Sequence, residues 1–135
     1  MSLDPRRDTR WWGWGDPAER ATLSDAAERM LREHGVIDGA RPAAVPELER
    51  VELPEARPLP RAVIEAAGPE SVFTGAEDRI RHATGQSYLD LLARRSGRLE
   101  LAPDAVITAP SAEALLPLLE SCAANGGAVG PFGGG

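Results

Sequence analysis

Twelve prolines and fourteen glycines are spread through 135 residues, near the level at which irregular structure is expected. Proline fixes φ and lacks the amide donor that a helix interior or a central strand requires. It also pushes the residue before it out of the helical region. The density peaks between residues 38 and 60, at Pro42, Pro46, Pro54, Pro58 and Pro60. That stretch reads as an extended connection laid over other elements. Short helices and shorter strands remain on either side, an α+β content for one modest domain.

Charge and residue usage narrow the chemistry. The formal net charge is −6, which argues against a phosphate-backbone partner, so no nucleic acid is expected. Every basic side chain is Arg. With no lysine there is neither a P-loop lysine nor a lysine Schiff base. Cys122 is the lone cysteine, so no internal disulfide or Cys-rich metal site can form, and a reducing compartment fits. Arg6-Arg7 is not followed by an apolar signal region. No run approaches the ~20 apolar residues of a membrane span. A cytoplasmic protein that does not span a membrane is the expectation.

Local signals place the elements. Residues 1–15 read as an irregular arm carrying Trp11, Trp12 and Trp14, and the simplest role for the indoles is anchorage on a neighbouring domain. Asp16-Pro17 opens a turn. Ser24 caps a helix with Ala27, Met30, Leu31 and His34 on one face, and Gly35 stops it. Residues 60–67 form a two-turn helix ended by Gly68-Pro69. "TGAEDRIRHATGQSYLDLLARRSG" contains two capping-box patterns, at Thr74–Glu77 and Ser87–Asp90. It reads as helix, break at Thr84-Gly85, helix, with Gly97 as the stop. Tyr88, Leu91 and Leu92 are expected on the inner face of the second helix, and Arg94, Arg95 and Arg98 in solvent.

Ala105–Thr108 suits a short buried strand. A helix capped by Ser111 and carrying Leu115, Leu116, Leu118, Leu119 and Cys122 follows. "GGAVG" then suits a second strand, making a βαβ unit. Pro117 would remove a helical hydrogen bond unless the helix bends there or starts later. Gly130 weakens the second strand. Cys122 is most simply a small core residue. No Ser/His/Asp set, carboxylate pair or metal spacing stands out.

The terminal "PFGGG", Pro131, Phe132, Gly133, Gly134 and Gly135, is the segment with a chemical rationale. Glycines after a strand let several amides face one anion and let a pyrophosphate approach the main chain. On spacing alone a flexible glycine tail is the equal alternative. In a Rossmann unit, moreover, the glycine-rich turn follows the first strand, not the second.

"RWWGWG", "DRIRHATGQSYLDLLARRSG" and "APDAVITAPSAEALLPLLESCAANGGAVGPFGGG" occur in this order. Together they resemble the N-terminal portion of FAD-linked oxidases of the vanillyl-alcohol-oxidase (PCMH) type. Within that group the likeness is to the alkyldihydroxyacetonephosphate synthase (alkylglycerone-phosphate synthase) branch. The resemblance implies an N-terminal aromatic arm and helical region over 1–101, and the start of a PCMH-type FAD-binding domain over 102–135. It implies that Pro131–Gly135 opens the loop around the FAD pyrophosphate, and it sets Arg79 and His82 near the flavin or substrate phosphate. A helix-end histidine beside an exposed arginine is the plainer reading of that pair.

The resemblance further implies a parent flavoenzyme with FAD and a small-molecule or lipid-like substrate, its catalytic residues beyond residue 135. These 135 residues are expected to be inactive alone and, with open strand edges, to self-associate. Two alternatives stand beside this: a FAD-linked 2-hydroxy-acid dehydrogenase, and a non-enzymatic helical module that binds a protein.

Overall fold

The computed structural model describes residues 9–19, 22–37 and 44–133. It divides into two compact units, residues 1–45 and 46–135.

In the first unit the tryptophan segment is irregular, as expected, and its described part closes into a loop. The Arg10 amide donates to Gly15 O at 3.0 Å. Its guanidinium donates to the carbonyls of Trp14 and Glu19 and lies 5.2 Å from the centre of the Trp12 ring. Gly15 closes the loop at φ 82°, a conformation that disfavours any residue with a Cβ. Asp16 Oδ1 then accepts from the Ala18 amide and holds a turn. Helix α1 spans Asp25–Glu33, with the Ser24 hydroxyl as its N-cap acceptor. Past His34, Gly35 turns left-handed, its amide donates to Arg32 O, and the Val36 amide donates to Leu31 O. This paired bonding is the Schellman stop that the Gly35-Val36 pattern predicts.

The second unit opens at Pro46, within the proline-rich connection. It takes one 3-10 turn at Leu48–Arg50. Glu52 then forms a parallel bridge with Arg98, exchanging main-chain hydrogen bonds with Gly97 and Leu99. Helix α2 covers Arg61–Ala67 and ends at Gly68, φ 83°. Strand β1 is Val72–Phe73, helix α3 is Ala76–Arg81 and helix α4 is Tyr88–Arg95. Strand β2 is Val106–Ile107 and helix α5 is Leu115–Ala124. One face of α2, Val63 and Ala67, packs on one face of α5, Leu118 and Cys122, and Val72 and Ile107 close the cluster from the sheet. Both helices present residues four apart, which stack on one side of an α-helix. The small Ala67 and Cys122 leave room for close approach.

The α+β class holds, but the strand pairing differs from the expected strand–helix–strand unit. β2 pairs antiparallel with β1, Val72 opposite Ile107 and Phe73 opposite Val106. Residues 126–130 form no strand. The glycines there are taken up by the end of α5. Gly126 turns left-handed at φ 68°, its amide donates to Ala123 O, and the Gly127 amide donates to Cys122 O at 2.8 Å. Only Ala128-Val129-Gly130 then remain before Pro131, too few and too glycine-rich to form a ladder.

Three further expectations are corrected. The Thr74 capping box does not form: Gly75 is the N-cap of α3 without a side-chain acceptor, and Glu77 instead pairs with Arg81 at 2.9 Å. Helix α5 begins after Ala114, so Pro117 is its third residue. In a first turn the amide has no intrahelical acceptor, so proline costs little there. On α4, Leu91 is buried as expected, whereas Tyr88 is 64% exposed and Leu92 is also open. The inner face is completed instead by Arg94, at 1% exposure. Leu115, Leu116 and Leu119 leave an apolar strip on the outer side of α5.

Candidate functional site

The site is assembled from the break between α3 and α4. Where α3 ends, its last carbonyls lose their helical donors. Arg94, two turns into α4, supplies replacements. Its Nη2 donates to Thr84 O at 2.7 Å, Gly85 O at 2.8 Å and Arg81 O at 3.3 Å, and its Nε donates to Thr84 Oγ1 at 2.9 Å. A cation is electrostatically suited to the C-terminal end of α3. The sequence holds the signal for this role, because Arg94 is three residues past Leu91 and therefore on the same helical face.

Ser87 opens α4 with a complete capping box. The Ser87 hydroxyl accepts from the Asp90 amide, and Asp90 Oδ2 accepts from the Ser87 amide and hydroxyl. The side-chain and main-chain bonds from Ser87 hold the Asp90 carboxyl below its usual range.

Arg79 is 7% exposed. Its Nε donates to Pro103 O and its Nη2 to Pro54 O, both at 2.7 Å. The guanidinium thus ties the proline-rich connection to the entry of β2. Asp104 reinforces the same junction by accepting from the Arg57 amide at 2.9 Å and from the Arg57 guanidinium. These bonds, the main-chain one foremost, lower the Asp104 pKa.

His82 is the C-cap of α3. Its Nδ1–H donates to Asp78 O at 2.7 Å, and its main-chain amide donates to the same oxygen. The carbonyl acceptor fixes the neutral ring as the Nδ1–H tautomer. Its imidazole meets the Phe132 ring, with centroids 4.9 Å apart and planes at 56°. The structure therefore brings together two stretches singled out from sequence, the His82 turn and the glycine-rich segment. Arg79 serves the neighbouring junction. Gly134 and Gly135 lie outside the described residues.

The described part of the segment is open. Among the described residues, the amides of Ala128, Val129, Gly130 and Gly133 make no hydrogen bond. A Cβ added at Gly130 or Gly133 would meet nothing within 4 Å among the described residues, and neither has a positive φ. Neither packing nor conformation among the described residues requires glycine at those positions. What glycine provides there is main chain that an outside group can approach.

Protein Rv2250A of Mycobacterium tuberculosis (strain ATCC 25618 / H37Rv) is 34% identical over 104 residues, a match covering 73% of this chain and 67% of that protein. The chain belongs to the Rv2250A family. No family model matches it. Among solved structures it is similar to "alkyldihydroxyacetonephosphate synthase in P1", with a TM-score of 0.75 at 18% identity, and to the same enzyme in P212121, with a TM-score of 0.68 at 20% identity. Each match covers 93% of this chain, so the fold is that of the corresponding part of alkyldihydroxyacetonephosphate synthase. The chain spans 28% and 27% of the length of those structures. No helix among the described residues is long and apolar enough to cross a membrane.

Proposed function

We propose that this chain supplies the pyrophosphate-facing part of an FAD site in a flavoenzyme resembling alkyldihydroxyacetonephosphate synthase. The supporting observation is the uncovered main chain around Gly130 and Gly133, where neither φ nor neighbouring atoms call for glycine. Such a cradle suits a phosphate group, which needs amide donors and close backbone approach. Pro131 to Gly135 would hold the cofactor, with the His82 ring against that of Phe132. FAD, when bound, supplies two-electron redox chemistry to a lipid-like phosphate ester of the class the structural relative's name describes. The role proposed for these residues is to bind and orient the cofactor.

The test uses the amide resonances of the isotopically labelled chain during titration with ADP, which carries the pyrophosphate without the flavin. Shifts should concentrate at residues 128–133. Gly133→Val, which fills the approach with a branched side chain, should suppress them and leave the thermal midpoint unchanged. Shifts confined to other regions, or an undiminished response in the Gly133→Val chain, would refute the reading.

A further inference from the structure

We propose that His82 is a positioning residue that fixes the course of the glycine-rich segment by clasping Phe132. Among the described residues the amides of Ala128, Val129, Gly130 and Gly133 make no hydrogen bond, so no ladder runs through those four positions. The residue immediately before Gly133 nevertheless has a fixed counterpart. The Phe132 and His82 rings are 4.9 Å apart and tilted by 56°, within the separation and orientation that favour aromatic pairs.

His82 is suited to act as the fixed half. Its ring and its amide both donate to Asp78 O, so the imidazole cannot swing without breaking a bond to its own helix. The turn that follows is held in place by Arg94 through Arg81 O, Thr84 O and Gly85 O. A continuous line therefore runs from α4, through the α3 terminus, to the main chain one residue before Gly133. The clasp rests on these contacts alone. Its consequence for ligand binding rests on the FAD reading above.

The experiment measures backbone order at Phe132 and Gly133 by heteronuclear relaxation in the full chain, followed by ADP titration, for wild type, His82→Ala and His82→Phe. His82→Ala should loosen 132–133 while the α2 and α5 amides keep their positions. It should also weaken the ADP response at Gly133 by about two- to tenfold, the span an aromatic pair can supply. His82→Phe keeps a ring opposite Phe132 but loses the bond to Asp78 O, and should restore both in part, which a purely helix-capping role for the histidine would not. Unchanged order at 132–133 in His82→Ala overturns the clasp. Loosened order with an undiminished ADP response overturns its positioning role. If 132–133 loosens but ADP shifts nothing at 128–133 even in wild type, the flavin reading fails and the clasp stands. Should His82→Ala fail to fold, Phe132→Leu removes the same ring pair without touching α3, and the same outcomes apply.

Discussion

Replacing Arg94 with methionine tests the organisation of the second unit most directly. The change keeps an unbranched side chain of similar reach and removes every donor. Thr84 O and Gly85 O lose bonds of 2.7 and 2.8 Å, Thr84 Oγ1 loses one of 2.9 Å, and Arg81 O loses a longer one. Leaving an acceptor unsatisfied in a buried setting costs ~1–3 kcal/mol. Three acceptors share a single nitrogen, so the losses do not add, and relief from desolvating a guanidinium offsets part of them. The two short carbonyl bonds set the scale, for a net loss of about 3 kcal/mol. A unit of this size has ~5–13 kcal/mol in total, so the loss is large, and the thermal midpoint should fall by roughly 12–24 °C. Urea unfolding followed by circular dichroism, with an unchanged slope, measures it. Arg94→Lys should fall between the two, because an ammonium lacks the planar fork that reaches several acceptors. Stability of Arg94→Met within ~0.5 kcal/mol of wild type, the range of an unremarkable surface change, would refute this account.

Ser87→Ala removes the N-cap acceptor of α4 and should cost about 1 kcal/mol in the same unfolding measurement. Pro117→Ala should change stability by less than ~0.5 kcal/mol; a gain near 3 kcal/mol would place Pro117 in a helix interior instead. Asp104 has a folded-state pKa below its unfolded value. Its contribution is therefore complete above the ordinary carboxylate pKa of ~3.9 and is lost as pH falls through the lower folded value. Thermal midpoints measured against pH should fall more steeply on the acid side for wild type than for Asp104→Asn.

Helix ends were the legible part of this sequence. Ser24, Gly35, Gly68, Ser87 and Gly97 act through bonds to residues a few positions away, so the local pattern contains the whole interaction. Thr74–Glu77 carries the same pattern and fails, because Glu77 has a competing partner in Arg81 one turn on. The strand at Val106–Ile107 was legible from its apolar run, but its partner was not. Pairing with Val72 and Phe73 is decided by how α2 and α5 pack and has no local signature. Residue type alone sends Arg94 to solvent, whereas its angular position beside Leu91 puts it on the inner face. Its burial depends on carbonyls exposed by a helix break ten residues earlier, which charge alone does not reveal. The openness of Gly130 and Gly133 was implied by composition, whereas the meeting of His82 with Phe132 required the fold.

The antiparallel contact between residues 72–73 and 106–107 closes a ring of chain that contains α3, the break and α4. Joining the ends of a flexible loop costs entropy that grows with its length. That cost falls if the intervening chain is already compact, and the Ser87 box and the Arg94 bonds are both local enough to compact it early. The loop-closure cost predicts an order of assembly in which the enclosed helices form first and the two short strands meet last, as the latch of a ring already drawn in. The strands are only two residues long, and they need be no longer than that to close it.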